Sequence, residues 1–222
     1  MKKIIILFIF LFITLNAKSI DATYKISYGI LGELGLAKTT LEIFQDNTYK
    51  IKVHAYATGI AKILSSNKEE FYESWGTVKG KKLIPKKFIK ISRNDYKNRV
   101  KVYDFNHEKN FVMLEKNEER LQTQYDGNLE AIQTWKKTKS KEKNVFFAAN
   151  DLLSLFFNIK QIIPSFKQGT SYTLKAIGAN NTDGRLDIII PNGEQFKELQ
   201  EALNTDDIKF IAAINQKIFS SS

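Results

Sequence analysis

Hydrophobic and polar residues alternate along the first half of the chain. Bulky side chains occupy every second position in residues 24–30, 37–43 and 49–57, with mostly polar or small residues between them. Because successive residues of a strand point to opposite faces, this period predicts strands with one face on a core and one toward water. The pattern is typical of antiparallel sheet, since parallel strands are usually buried on both faces.

Further strands are predicted downstream, and short segments containing Gly, Asn or Asp separate many of them. The additional predicted strands are residues 69–78, 83–92, 100–105, 111–115, 172–177 and 186–190. The turn signals are residues 45–47, 79–80, 106–110 and 180–184. Tight turns favour these residue types, and short connections favour hairpins. The sequence therefore predicts a meander in which each strand pairs with its neighbours along the chain.

Two segments have helical spacing instead. The first begins at Asn150 or Asp151, either of which can cap a helix, and Pro164 ends it. Its main apolar positions are Leu152, Leu155, Phe156, Ile159 and Ile163. Three more apolar residues lie off that stripe, so this helix is either buried on several sides or closes a cavity as a lid. The second helix is predicted at residues 194–203, and residues 208–218 alternate again as a last strand.

Together these elements predict a mainly β (α+β) protein. We expect an antiparallel, strongly curved sheet or half-barrel of hairpin-connected strands, with one or two helices packed on it. Residues 18–222 have the length of one β-rich domain, which can bury a core without disulfides. Five lysines crowd into residues 136–143, and since like charges resist packing, this stretch is predicted to be a loop or a strand edge.

The N-terminus has the pattern of an export signal. Lys2 and Lys3 precede an unbroken apolar run over residues 4–13, which is too short to span a bilayer as a helix. Residues 1–17 are therefore predicted to be a signal peptide, cleaved after Ala17, and the mature protein is expected in the periplasm. An uncleaved membrane anchor is the alternative. The chain has no cysteine, which excludes a lipoprotein, and no second long apolar run predicts an integral membrane protein.

The charge of the chain points to anionic partners. The formal net charge is +10, and removal of the two lysines of the signal lowers it to +8. Such an excess favours phospholipid headgroups, lipopolysaccharide or other envelope polyanions, whereas export argues against nucleic acid. The alternative is that the charge serves solubility alone.

Several short motifs occur in an order that resembles a known family. They are YKISYGILG at residues 24–32, YATGIA at 56–61, YESWG at 72–76 followed by Pro85, DLLS at 151–154 and KQG at 167–169. The set is similar to the bacterial domain of unknown function 3108 (DUF3108), over nearly all of the mature chain. The resemblance implies an envelope protein with a strongly curved antiparallel sheet, and it supplies no catalytic residues. Similar proteins continue into further strands, so the chain is either shortened at Ser222 or closed in another way.

The sequence offers no recognisable catalytic set. His54 and His107 lie on a predicted strand and in a predicted turn, without acidic residues at metal-ligand spacing. Gly29, Gly32 and Gly35 do not have the spacing of a nucleotide-binding loop, and there is no G-x-S-x-G. We therefore expect no catalytic residue, no metal and no cofactor, although distant residues could still converge in the fold.

Aromatic residues are the remaining signal. A concave sheet with a helix across its mouth could hold an apolar ligand, and the proposed lining comprises Tyr28, Tyr49, Trp75, Phe88, Leu152 and Phe156. The proposed contacts to an anionic membrane surface or headgroup are Lys136, Lys137, Lys139, Lys141 and Lys143. The alternative is an ordinary filled core.

Two functions follow from these alternatives. The first is a periplasmic binding module for an apolar or lipid-like envelope ligand. The second is a structural or interaction protein of the envelope, with a filled core and a protein partner. An enzyme is the least supported class.

Overall fold

The computed structural model describes residues 18–27, 33–125, 130–203 and 213–215. The first eight strands are β1 (Lys18–Ser27), β2 (Glu33–Ile43), β3 (Thr48–Ala57), β4 (Glu69–Lys79), β5 (Lys82–Asn94), β6 (Lys97–Asn106), β7 (Phe111–Tyr125) and β8 (Ala131–Lys143). The last three are β9 (Ser171–Lys175), β10 (Arg185–Ile189) and β11 (Ala213–Asn215). The helices are α1 (Gly59–Leu64), α2 (Leu152–Ile162) and α3 (Gly193–Leu203).

The first eight strands form one antiparallel sheet in the order in which they occur along the chain. This confirms the predicted meander of hairpins. Within the described residues, β1 and β8 each pair with a single neighbour, so the sheet is open. The last three strands form a smaller antiparallel sheet in the order β11-β10-β9. The protein is thus mostly β with three short helices, while the strong curvature of the sheet stays a prediction.

The lysine-rich stretch is a strand at the edge of the large sheet. β8 runs through Lys143 and every one of its residues is exposed, which confirms the second of the two alternatives predicted for it. Along the second half of β8, lysines rather than apolar residues occupy every second position. Lys137 lies 2.8 Å from Glu119, and Lys139 lies 3.1 Å from Glu115 on β7. These cross-strand ion pairs explain why β7 continues well beyond residue 115, where its apolar alternation stops.

Helix α2 lies between the two sheets. Leu153 and Phe157 pack against buried clusters of the large sheet, whereas Leu155 and Ile159 pack against β9 and β10 residues and their neighbours. The helix is therefore buried on two sides, as its nearly continuous apolar surface indicated. Its predicted start is confirmed, because the Asp151 side chain accepts hydrogen bonds from the first turn as an N-cap.

The large sheet has an inner face, which carries α2, and an outer face. Direct cross-strand partners on the inner face include Ile51, Ser74, Phe88, Tyr103 and Leu114, all of them buried. Helix α2 and the loops around it cover this row and the end of the sheet beyond it. Toward the other end of the strands, Tyr72 is the inner-face side chain of the described residues that packs against a buried cluster. The core of the large sheet is therefore concentrated in one half of its inner face.

Two predictions fall partly outside the described residues. The first predicted strand, residues 24–30, is described as strand up to Ser27, and β1 begins earlier than predicted, at Lys18. The last predicted strand, residues 208–218, is described as strand at Ala213–Asn215. The predicted signal peptide, residues 1–17, lies outside the described residues.

Candidate ligand-binding face

The structure separates the residues that were predicted to line one apolar site. Tyr49 and Phe88 are buried in the core at 2% and 0% exposure, and Leu152 packs against the Phe88 cluster. Trp75 lies on the outer face and is 41% exposed, because it follows Ser74, whose side chain points inward. Phe156 projects from α2 with 50% exposure. Tyr28 lies outside the described residues. Of the remaining five, Phe88 and Leu152 meet in one buried cluster and Tyr49 belongs to a second.

The space beneath α2 contains a buried polar network. The Ser74 hydroxyl donates to Asp151 over 2.6 Å, and the Tyr49 hydroxyl lies 2.9 Å from the same Ser74 oxygen. Asp151 also accepts hydrogen bonds from the backbone N–H groups of Leu153 and Ser154. Serine, tyrosine and aspartate together resemble reactive chemistry, but Ser74 and Asp151 are both fully buried. This network therefore fixes the start of α2 on β3 and β4.

A second polar contact fixes the middle of the same helix. The Asn158 side chain accepts from the N–H of Leu83 over 2.8 Å and donates to the carbonyl of Leu83 over 2.7 Å. Asn158 is 1% exposed, so both of its groups replace water with backbone partners of β5. Together with the Asp151 network, this pair of hydrogen bonds holds α2 over the filled half of the inner face.

The buried carboxyl group of Asp151 gives a testable dependence of stability on pH. Burial raises its pKa to about 6, while hydrogen bonds from Ser74 and the first turn of α2 oppose the rise. The folded protein therefore retains a proton that the unfolded chain releases near the ordinary aspartate pKa of 3.8. We expect this group's contribution to the free energy of unfolding to fall by up to about 3 kcal/mol as pH rises from about 4 to 6.

The measurement is urea denaturation of the wild type and Asp151→Asn at several pH values. The surface carboxylates titrate in both proteins. Their contribution cancels when the free energy of unfolding of the variant is subtracted from that of the wild type at each pH. The wild type should lose stability relative to the variant as pH rises through this window. A difference that stays constant between pH 4 and 7 would show that the carboxyl group of Asp151 titrates alike in both states.

The outer face has an open depression beside Trp75. It has a volume of about 570 Å³ and is bordered by Phe44 and Trp75, with Lys50, Lys86 and Lys87 around them. Two of the polar groups here have partners within the chain. The indole N–H of Trp75 donates to Glu73 over 3.0 Å, and the Lys50 ammonium lies 4.7 Å from the centre of the indole ring.

The predicted lysine contacts are divided between the two faces of β8. Lys137, Lys139, Lys141 and Lys143 alternate onto the outer face, and Lys136 points to the inner side. Lys137 and Lys139 form the ion pairs with β7, and the Lys143 ammonium lies 5.4 Å from the centre of the Phe111 ring. Their contact with an anionic membrane surface stays a prediction.

The other half of the inner face has two rows of side chains that cross the strands, which we call the open rows. In direct register, the first open row is Ala22, Thr39, Val53, Tyr72, Lys90, Lys101 and Lys116. The second is Tyr24, Ala37, Ala55, Glu70, Ser92, Arg99 and Glu118. On β1–β3 both rows are small or apolar, and on β5–β7 they are largely charged. This half of the face is therefore amphipathic along the direction that crosses the strands.

The charged part of the open rows is crowded with cations. Arg99 pairs with Glu118, which also lies 3.4 Å from both Lys97 and Arg120. Burial and, to a smaller extent, the neighbouring charges of Arg99, Lys90 and Lys116 together lower the pKa of Lys101 to about 8. Burial also lowers the pKa of Lys90, against the opposing effect of Glu70. Both lysines thus occupy a partly dehydrated, positive environment.

The sequence places these lysines at core-facing positions of their strands, a feature that a search for apolar alternation does not detect. Lys90 comes two residues after the buried Phe88, Lys101 two residues before the buried Tyr103, and Lys116 two residues after the buried Leu114. Each lysine therefore occupies a position that should point to the core in an alternating strand. Charged residues at core-facing positions of three successive strands mark a site that an apolar pattern cannot show.

Comparison with known proteins places this face in a family context. The family described as "Protein of unknown function (DUF3108)" matches residues 23–181, which include β2–β8, α2 and, apart from Ala22, both open rows. The chain belongs to the DUF3108 family. No curated protein and no solved structure matches it.

The remaining candidates in this DUF3108 protein have structural contacts. His107 lies in the β6–β7 turn, as predicted, with its Nε2 atom 2.6 Å from the carbonyl oxygen of Pro85. His54 lies on the outer face and stacks on Phe71 with ring centres 4.1 Å apart. The described part of this DUF3108 chain contains no group of three or more metal-ligating side chains. In the same residues, none of the helices has the length and apolar character needed to cross a membrane.

Proposed function

We propose that the protein is an exported periplasmic binding module for an apolar or lipid-like envelope ligand, and that the ligand lies along β1–β3 in the open rows. The supporting observation is the contrast between the two halves of the inner face. One half is filled by Phe88, Val112 and their neighbours at 0% exposure. The other half has small and apolar side chains on β1–β3 that belong to none of the buried clusters in the described part of the chain.

The dimensions of the apolar part suit a single hydrocarbon chain. Neighbouring strands lie about 4.8 Å apart, so the step from β1 to β4 covers about 14 Å. At its β1 edge, Tyr24 is 46% exposed, and Ile20 in the adjacent row of β1 is 57% exposed. Burial of about 200 Å² of apolar surface here would contribute about 5 kcal/mol before the cost of ordering the ligand. Large apolar side chains exposed beside small ones are the composition expected of an unfilled apolar site.

Export is supported by the N-terminal sequence pattern. A charged pair, a short apolar run and Ala17 have the arrangement that signal peptidase recognises. The periplasmic location would expose the protein to envelope lipids, which the proposed ligand class requires. The intact mass of the protein isolated from periplasm tests this part directly, because cleavage after Ala17 leaves Lys18 as the first residue.

The test of ligand binding is native mass spectrometry on protein purified from periplasm without detergent, followed by organic extraction. We expect a bound species of lipid mass on the wild type. Val53→Glu places a charge in the middle of the apolar part and should remove that species. Thr40→Glu adds the same charge to the outer face of neighbouring β2, opposite Lys52, and should retain it.

The circular dichroism spectrum and melting temperature of each variant separate loss of binding from loss of folding. A wild-type protein that shows no bound mass, even after incubation with envelope lipids, would overturn the proposal. Equal lipid occupancy in Val53→Glu and Thr40→Glu would show that the ligand does not bind in the open rows.

An interaction protein of the envelope is the second candidate. Its support is helix α1, whose apolar side chains Ile60, Ile63 and Leu64 are 70%, 77% and 82% exposed. No residue of α1 is buried, so these side chains contribute surface rather than core. Cross-linking in intact cells from a photoreactive residue at position 63 would identify a protein partner. A single cross-linked species, together with a protein free of lipid, would favour this function.

A further inference from the structure

The first open row places three lysines side by side on adjacent strands. Lys90 of β5 is the direct partner of Lys101 of β6, which is the direct partner of Lys116 of β7. Direct partners on one face have Cβ atoms about 5 Å apart, and like charges at this spacing destabilise a sheet. All three side chains are partly buried, so water screens their repulsion less than it would at an open surface.

The carboxylates of the described residues form their ion pairs around the centre of this row and not with Lys90 or Lys101. Lys116 is paired with Glu142 on β8, and Arg99 is paired with Glu118. Lys90 donates to the side-chain oxygen of Asn180 over 3.1 Å, which satisfies a hydrogen bond without cancelling the charge. Among the residues that the structure describes, neither Lys90 nor Lys101 has a carboxylate oxygen within 4.0 Å. Two neighbouring ammonium groups on the inner face therefore lack a direct ion pair, and Glu70 and Glu118 act on them only from the second open row.

We propose that Lys101, flanked by Lys90 and Lys116, binds the oxyanion head of an amphipathic ligand, a phosphate or carboxylate whose hydrocarbon chain lies over β1–β3. This inference deepens the proposed function and rests on it for the position of the chain. Tyr72 lies between the two parts in the same row, next to Lys90 on one side and Val53 on the other. An anion at Lys101 would relieve the repulsion in the row and gain charge-assisted hydrogen bonds.

The spacing supports one ligand that contacts both parts. From β3 to β6 the row advances by three strands, which corresponds to about 14 Å. An oxyanion at Lys101 would therefore reach Val53 with a chain of ordinary lipid length. A free anion would use the lysines alone and gain nothing from β1–β3. The same cationic chemistry could thus hold a lipid head or inorganic phosphate, and the test separates these two sources.

The experiment is isothermal titration calorimetry on the mature protein after organic extraction and refolding, with three probes below their micelle concentrations. Dodecyl phosphate carries chain and anion, dodecyl glucoside carries the chain with an uncharged head, and inorganic phosphate carries the anion alone. The variants are Lys101→Gln, Lys101→Arg, and Lys38→Gln as a matched control on the outer face of β2. Melting temperatures confirm that each variant is folded.

We expect dodecyl phosphate to bind at least tenfold more tightly than either of the other probes. Lys101→Gln should lower the affinity for dodecyl phosphate by about tenfold, and Lys101→Arg should retain most of the wild-type affinity. The affinity of Lys38→Gln should equal that of the wild type. Higher salt should weaken dodecyl phosphate more than dodecyl glucoside, because the lysine row supplies the electrostatic part of the affinity.

The possible failures point to different proposals. If dodecyl glucoside binds as tightly as dodecyl phosphate, or Lys101→Gln has no effect, the oxyanion site is overturned while the apolar ligand stands. If inorganic phosphate binds as tightly as dodecyl phosphate and depends on Lys101, the anion site stands and the apolar ligand is overturned. If none of the probes binds, both proposals are overturned.

Discussion

Gly76→Ala is expected to destabilise the protein by about 3 to 4 kcal/mol, which is at the upper end for added volume in a core. Gly76 is buried on β4, where the pairing with β5 shifts register between Trp75 and Gly76. A Cβ atom at this position would lie 1.9 Å from the carbonyl oxygen of Ile84 and 2.9 Å from the Cα atom of Pro85. Both contacts are with backbone, so relief requires β4 and β5 to separate where they support the core.

Chemical denaturation with Gly80→Ala as control tests this expectation. Gly80 lies in the next turn with φ of 61°, and a Cβ there meets nothing within 4 Å. Its replacement should cost about 1 kcal/mol, from the left-handed backbone alone. The steric explanation requires Gly76→Ala to be clearly the more damaging change. Equal losses in the two variants would mean that the bulge at Gly76 adapts without cost.

Asp151→Ala should destabilise the protein by about 3 kcal/mol. The change removes the N-cap of α2, which is worth about 1 kcal/mol, and leaves the buried Ser74 hydroxyl and the N–H groups of Leu153 and Ser154 without their acceptor. Removal of a buried carboxylate offsets part of this cost, because burial disfavours the charge. The free energy of unfolding from urea titration measures the net effect.

A double-mutant cycle with Ser74→Ala isolates the contact between β4 and α2. Ser74→Ala alone should cost less than Asp151→Ala, since the cap and the backbone hydrogen bonds remain. The double variant should be more stable than the sum of the single changes predicts, by about 1 kcal/mol, because the two side chains share one hydrogen bond. Additive losses would indicate that the Ser74–Asp151 hydrogen bond contributes little. A wild-type unfolding curve for Asp151→Ala would contradict the assigned role of the network.

The large sheet was predictable because its strands alternate in hydrophobicity. In β3, Tyr49 and Ile51 are buried while Lys50 and Lys52 face outward, and the α2 cap at Asp151 was likewise visible in the sequence. The ribbon of β7 and β8 was less apparent, because cross-strand ion pairs rather than burial stabilise its length. Local pattern reports which face a side chain occupies, but not whether another element covers that face.

The candidate site was less accessible to sequence reasoning for this same reason. The sequence predicts an aromatic lining, whereas in the structure Phe88 and Tyr49 fill the core and Trp75 lies on the outer face. The open rows arise from register across seven strands, which aligns Val53, Tyr72 and Lys101 although they are distant in the sequence. Each strand taken alone shows one lysine at a core-facing position. The three lysines become neighbours only when the strands pair in this register.

The meander topology has a consequence for the order in which the protein assembles. A polypeptide that emerges N-terminus first can complete each hairpin of β1–β8 as the next strand appears, because every strand pairs with its predecessor. The core contact between Ser74 and Asp151 spans 77 positions and must wait until α2 has emerged. During that interval Phe88, Tyr103 and Leu114 form an uncovered apolar surface, the kind that holdase chaperones protect from aggregation. The half of the sheet that α2 finally closes is therefore the half most exposed to misassembly during synthesis.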